Sequence, residues 1–243
     1  MLSRRHLLIE TLGLGPVWQQ RGTMATPDTP VEAAAEPALV DAVPDKLPSV
    51  VEFLPDRHFD AWDDLASRVQ ACQSCGLAGM RTQTVFERGH RGASWFIVGE
   101  APGEQEDRQG LPFVGAAGQL LDQMLLAAGL DLEKDVYIAN VLKCRPPANR
   151  NPQAIEVQAC QHYLHQQIQL VQPKVILALG RFAAQTLLDT DRSIGQLRNT
   201  VHTWRNMPLI VSYHPAYLLR SLPEKAKAWQ DLCLARRHLA AMS

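Results

Sequence analysis

The chain has 243 residues, 46% of them hydrophobic, with 24 Lys and Arg against 25 Asp and Glu, for a formal net charge of −1. That apolar share argues against wholesale disorder, and no stretch approaches the roughly 20 apolar residues that span a bilayer. The charge is uneven: residues 1–56 hold 4 basic and 8 acidic residues and the remainder 20 basic and 17 acidic, an asymmetry that permits an anionic partner without demanding one.

The opening residues Ser3-Arg4-Arg5-His6-Leu7-Leu8 have the outline of a twin-arginine leader. Glu10 interrupts the apolar run and no convincing small-residue cleavage site follows, so export is not expected. A short amphipathic helix over about 3–14 is expected instead, with Leu7, Leu8, Thr11 and Leu12 on one face, inside an N-terminal peptide of residues 1–21. Residues 22–55 carry Pro27, Pro30, Pro37, Pro44 and Pro48 among Ala and acidic residues, with no sustained period, and read as a flexible linker. A folded domain is expected over 56–243.

Within it, residues 59–71 have a helical period, with Phe59, Trp62, Leu65, Ala66 and Val69 on one face. Residues 94–98 form a short buried strand ended by Gly99. A helix follows at 117–128, a strand at 136–139 and a long helix at 153–171, just after Pro152. Then come a strand at 174–179 ended by Gly180, a helix at 181–188, a strand at 209–213 and a closing helix at 224–240. Strands that are continuous apolar runs, alternating with helices, predict an α/β fold: three layers, α-β-α, around a central four-stranded parallel sheet. Ligands of such sheets bind beyond the carboxyl ends of the strands. Glu100, Asn140, Gly180-Arg181 and His214 stand there. Each alone reads as an ordinary turn residue. Together, a carboxylate, an amide and an imidazole at one sheet edge point to a site.

Five cysteines fit a reducing compartment and metal or cluster binding better than a disulfide framework. Cys72-Gln-Ser-Cys75 brings two thiols to one centre, and Cys144 and Cys160, with 15 residues between them, supply a second pair. Cys233 reads as a core thiol. By ligand type and spacing, zinc and an iron–sulfur cluster stand about even, ahead of a redox pair or buried free thiols.

Four segments carry the chemistry: GEAPGEQED at 99–107, GLPFVGAAG at 110–118, NVLKCRPP at 140–147 with NRNP at 149–152, and HPAYLLR at 214–220. In order and spacing they resemble the family 4, iron–sulfur branch of the uracil-DNA glycosylases, over about residues 57–238. The resemblance implies a [4Fe-4S] cluster on Cys72, Cys75, Cys144 and Cys160. It also implies a monofunctional enzyme that flips uracil out of DNA and hydrolyses its N-glycosidic bond. Phe113 would stack on the base, and Asn140 would offer an acceptor to N3–H and a donor to O4. His214 would hydrogen-bond the departing uracil at O2. Glu100 is the candidate for positioning water, with Ala101 and Pro102 lining the base. Glu106 is a second water candidate, or a group that crowds the C5 edge against thymine. The apolar wedge that fills the gap left by the base is assigned to Leu218, with Leu219 as the alternate. Tyr217 and Arg220 would brace flanking bases or phosphate.

Lys143, Arg145 and Arg150 surround Cys144 and would track the phosphate backbone, or form only a solvated basic loop. The start of the chain also resembles the N-terminal peptide of the psi subunit of the bacterial clamp loader, which implies a replisome contact. A cytoplasmic monomer acting on uracil-containing DNA is expected, with no membrane partner. Two alternatives are a non-catalytic iron–sulfur nucleic-acid-binding module and a relative acting on other deaminated bases. A covalently linking branch is disfavoured, because no basic, histidine-bearing insertion lies between Asp107 and Phe113.

Overall fold

The structure is a computed structural model, and it describes residues 58–241. The readings of a peptide over 1–21 and a linker over 22–55 lie outside the described residues. No helix among the described residues is long and apolar enough to cross a membrane.

The elements in chain order are α1 (His58–Ala71), β1 (Arg88–Gly89), β2 (Trp95–Gly99), α2 (Glu104–Gln109), α3 (Ala116–Ala127), β3 (Val136–Asn140), α4 (Ala154–Val171), β4 (Val175–Leu179), α5 (Arg181–Leu188), α6 (Ile194–Leu197), β5 (Val201–Trp204), β6 (Met207–Ser212), α7 (Pro215–Leu218) and α8 (Lys225–Ala241). Short 3₁₀ turns lie at Gly76–Gly79, Pro147–Asn149 and Leu222–Glu224.

The sheet runs β1-β3-β2-β4-β6-β5. Its four central strands are parallel, as the apolar runs predict. The sheet is nevertheless six strands wide, not four: β1 joins β3 and β5 joins β6, both antiparallel. The β5–β6 hairpin turns through Arg205 and Asn206, both at positive φ, the backbone of a tight turn that suits strand twist.

Alternation along β2 shows why both faces are covered. Trp95 and Ile97 pack with Leu121, Leu125 and Leu232 beneath α3 and α8. Phe96 and Val98 pack with Trp62, Leu65 and Leu164 beneath α1 and α4. Side chains of a strand point alternately to either face, and each fully buried Leu, Ile or Phe contributes roughly 1.5–3 kcal/mol. All four parallel strands therefore end at the same edge, with Gly99 in register with Asn140 and Leu179 with Ser212.

Candidate active site

That edge holds a cavity of about 580 Å³. Glu100, Ala101, Pro102, Glu106, Phe113, Asn140, His214 and Arg220 all line it, so residues from four distant segments meet around one space. Asn140 ends β3 and is only 2% exposed. Its Oδ1 is buried and has no hydrogen-bond partner. A buried acceptor left unpaired costs on the order of 1–3 kcal/mol, which marks this atom as waiting for a donor.

Phe113 sits at φ +57, a left-handed backbone unusual for a non-glycine residue and one that clusters at functional sites. Its carbonyl accepts from Arg88 at 2.6 Å, and Arg88 is itself ion-paired with Asp122. Glu106 fixes the same loop. One of its carboxylate oxygens accepts from the N–H groups of Val114 at 3.0 Å and Gly115 at 2.9 Å, and the other from Gly103 at 3.1 Å. Both oxygens are thus committed to backbone, which leaves Glu106 badly placed to handle water. Gly99 is the hinge of the arrangement: a Cβ there would lie 2.2 Å from Asn140 Oδ1 and 2.6 Å from the Phe113 ring. Only hydrogen at that position lets the amide and the aromatic ring share one wall.

His214 caps the short helix α7. Its Nδ1 accepts from the Ala216 N–H at 3.1 Å, so in the neutral ring the proton is on Nε2. Burial, helped by the charge of Arg220 and opposed by Glu106, holds the imidazole down to about 4. At neutral pH it is therefore an uncharged donor. Its ring stacks near Phe113, with centroids 5.5 Å apart. Gly180, at φ +89, lies against the His214 Cβ. Burial raises the Glu100 carboxyl above its ordinary range, while the nearby positive charge of Arg181 opposes the rise. A desolvated carboxylate of this kind is a stronger base than an exposed one.

The strand end that delivers His214 is anchored from behind. The Ser212 hydroxyl donates to buried Asp231 at 2.9 Å, and Arg198 binds the same carboxylate at 3.0 Å. Arg198 also lies 5.2 Å over the ring of Tyr213. Tyr213 pairs in turn with Tyr217, with centroids 5.2 Å apart, and both line the cavity. Arg181, a strand-end candidate in the sequence, lines the cavity as expected, whereas sequence reasoning overlooked Gly99 and Tyr213 as site residues. Each directly precedes a strand-end candidate, Glu100 or His214, which was the available signal.

Three expectations need correction. Leu218 is 0% exposed, a burial that does not suit the expected wedge, whereas its alternate Leu219 is 43% exposed, between Tyr217 and Arg220, which line the cavity. Lys143 is 1% exposed and cannot reach a phosphate. Arg150 lines the cavity, but Glu156 and the Asn151 carbonyl already hold its guanidinium. Arg145 is half-buried, bonded to Asn149 at 2.8 Å and ion-paired with Glu104 at 3.7 Å.

Cys72, Cys75, Cys144 and Cys160 line a second, smaller cavity together with Val69, Ala78 and Ala159. The Arg81 guanidinium donates to Cys144 Sγ at 3.1 Å and the Lys143 N–H to Cys160 Sγ at 3.3 Å. Burial pushes the Cys160 thiol up to about 11, against the pull of Lys143, and raises Cys144 against Arg81. Among the described residues no three His, Cys, Asp or Glu side chains converge closely enough to hold a single metal ion. Cys233 lies apart from this cavity and is half-buried.

The fold and the site together define an α/β protein with a mostly parallel sheet, whose strand-end cavity gathers a carboxylate, an amide, an aromatic ring and a neutral imidazole. The profile of the Uracil DNA glycosylase superfamily matches residues 86–233. The chain is 44% identical over 168 residues to the type-4 uracil-DNA glycosylase of Archaeoglobus fulgidus, covering 66% of this chain and 84% of that protein. It is 43% identical over 159 residues to the type-4 uracil-DNA glycosylase of Thermotoga maritima, covering 65% and 82%. A type-5 uracil-DNA glycosylase of Pyrobaculum aerophilum matches more distantly, at 34% over 157 residues, covering 52% and 69%. The chain belongs to the uracil-DNA glycosylase superfamily, in its type-4 branch.

Proposed function

We propose that this protein is a DNA-repair glycosylase that extrudes uracil from DNA and hydrolyses its N-glycosidic bond, leaving an abasic site. The observation that carries the reading is the unpaired, buried Oδ1 of Asn140 in the cavity wall. An amide oxygen there accepts from uracil N3–H, while cytosine presents a lone pair at N3 and is repelled. Phe113 covers one face of the base. As the bond to the sugar lengthens, negative charge gathers on the uracil O2 side, and the neutral Nε2–H of His214 donates to it. Glu100 orients water toward the sugar carbon and offsets the positive charge that develops there. Its similarity to the type-4 relatives supports the same substrate.

Leu219 fills the space vacated by the base, and Tyr217 and Arg220 meet the neighbouring nucleotides. Glu106 acts as a brace for the Phe113 loop. The activity is expected of a monomer, in the cytoplasm where DNA lies. A replisome contact through residues 1–21 falls outside the described residues.

Cys72, Cys75, Cys144 and Cys160 are the residues that would hold an iron–sulfur cluster. The donor set supports this. Four thiols share one cavity and two of them accept N–H bonds of the kind that tune such clusters. Bound there, the group would cross-link the 72–75 turn, the 144 loop and α4.

The test is incubation with oligonucleotides containing uracil, cytosine, thymine or hypoxanthine, followed by alkali. Scission confined to the uracil strand is expected. Intact uracil strands would refute the reading, and binding without scission would favour a non-catalytic module. Scission at hypoxanthine would widen the substrate range.

A further inference from the structure

Resting on the reading of Asn140 as the base-reading amide, we propose that Lys143, held by Gln167, is a positioning residue that fixes Asn140 against the four-cysteine site. The Lys143 ammonium sits in the interior and makes two bonds, to the Asn140 carbonyl at 2.7 Å and to Gln167 Oε1 at 2.5 Å. Lysine is almost never fully buried unless its charge is used, and Lys143 lines the four-cysteine cavity, not the large one, while its ammonium turns to the Asn140 carbonyl. Its backbone reaches the other way. The Lys143 N–H donates to Cys160 Sγ at 3.3 Å, its carbonyl accepts from Val85 at 2.8 Å, and the next residue is Cys144.

The run 140–144 is thereby tied along its length. The Val141 N–H donates to the Gly99 carbonyl at 3.0 Å and the Leu142 N–H to the Glu100 carbonyl at 3.1 Å. The amide and one thiol, Cys144, share this short stretch of chain, which hydrogen-bonds the carboxylate-bearing strand end and a second thiol, Cys160. Gln167 holds the far side: its Nε2 donates to the Phe86 carbonyl and to the Tyr137 hydroxyl, both at 2.9 Å, and that hydroxyl donates to Glu87 at 2.5 Å. The Asn140 carbonyl stands at the last residue of β3 and needs a donor. A long flexible stem ending in three donors meets it from three residues on. No shorter side chain at 143 would span that turn.

The test uses the cluster-loaded protein and the variants Lys143→Met and Gln167→Met. Three quantities are read: iron content with visible absorption, affinity for free uracil, and the kcat and KM for uracil-containing DNA. Removing one buried hydrogen-bond partner of the Asn140 anchor is expected to weaken free-uracil binding about tenfold, and kcat/KM by a similar factor, while affinity for abasic DNA holds. Gln167 bonds to Lys143, Phe86 and Tyr137 and does not line the four-cysteine cavity, so Gln167→Met is expected to keep full iron and absorption even if Lys143→Met loses them. A Gln167→Met protein that binds free uracil as tightly as the unaltered chain overturns the proposal, even if its melting temperature falls, because a merely structural role would leave the folded fraction's affinity unchanged. Unaltered protein that neither binds nor excises uracil overturns the pocket reading, and this proposal with it.

Discussion

Replacing Gly99 with alanine tests the site's geometry at its tightest point. The added Cβ would stand 2.2 Å from Asn140 Oδ1 and 2.6 Å from two atoms of the Phe113 ring. Ordinary non-bonded carbon contacts lie at about 3.5–4.0 Å. The amide and the ring must therefore each retreat by about 1 Å, in a wall where Asn140 and Phe113 are both buried. A misplacement of about 1 Å lowers a reaction rate by about 10²-fold, and overpacking of this kind destabilises by about 1–3 kcal/mol. In a folded region of this size that shifts Tm by about 2–4 °C per kcal/mol. Single-turnover excision from a uracil oligonucleotide, paired with a thermal melt, reads both effects. Gly79, where a Cβ meets nothing within 4 Å, supplies the control, and Gly79→Ala is expected to melt as the unaltered chain does. Excision by Gly99→Ala within about threefold of the unaltered chain would show that the close approach does not set the geometry of base reading.

Three further outcomes follow from burial and charge. The neutral His214 donor is expected to persist well below pH 6.5, so the acid limb of kcat falls near pH 4; a limb near 6.5 would contradict it. Because the folded-state value lies below the unfolded value of about 6.5, the unfolded chain binds the extra proton first, and stability is lost as pH falls from about 6.5 toward about 4. At roughly 1.4 kcal/mol per pH unit the loss reaches about 3 kcal/mol, and denaturant melts of His214→Gln at pH 7 and 4.5 are expected to lack it. Glu100→Gln is expected to slow excision by about 10²–10⁴-fold while raising Tm, since burial already disfavours the carboxylate; an unchanged excision rate would remove Glu100 from the reaction. Leu218→Ala is expected to cost about 2–5 kcal/mol of stability, whereas Leu219→Ala stays within about 0.5 kcal/mol and slows excision from duplex more than from single strands. Equal stability in the two variants would refute the assignment of buried and exposed positions.

The sequence made β2, β3, β4 and β6 legible because each is buried on both faces and so reads as an unbroken apolar run. The two edge strands escaped for opposite reasons. β1 is two residues long, and β5 enters its hairpin through Arg205-Asn206, without the glycine that usually signals such a turn. Helices α2, α6 and α7 have four to six residues, too few to show a period. In the site, Glu100, Asn140 and His214 were legible from their places at strand ends and Phe113 from its motif. The errors came where one rotation or one partner decides. Successive residues of a helix are about 100° apart, so spacing from His214 could not separate buried Leu218 from exposed Leu219. A lysine in a basic run looks solvated until the fold supplies Asn140 and Gln167 as acceptors.

The borders of the sheet have a consequence for assembly. An unpaired strand is a template for another chain, and long flat ones invite fibre formation or strand addition by a partner. Here the outermost rows offer two residues on one side and four on the other, and Arg88 in the shorter row is already engaged by Asp122 and the Phe113 carbonyl. The long parallel strands, the part of the molecule most suited to templating, are enclosed. Only short rows, two residues on one border and four on the other, are thus left to template a newcomer, so a protein docking on this domain gains little from the backbone ladder and more from helices and loops.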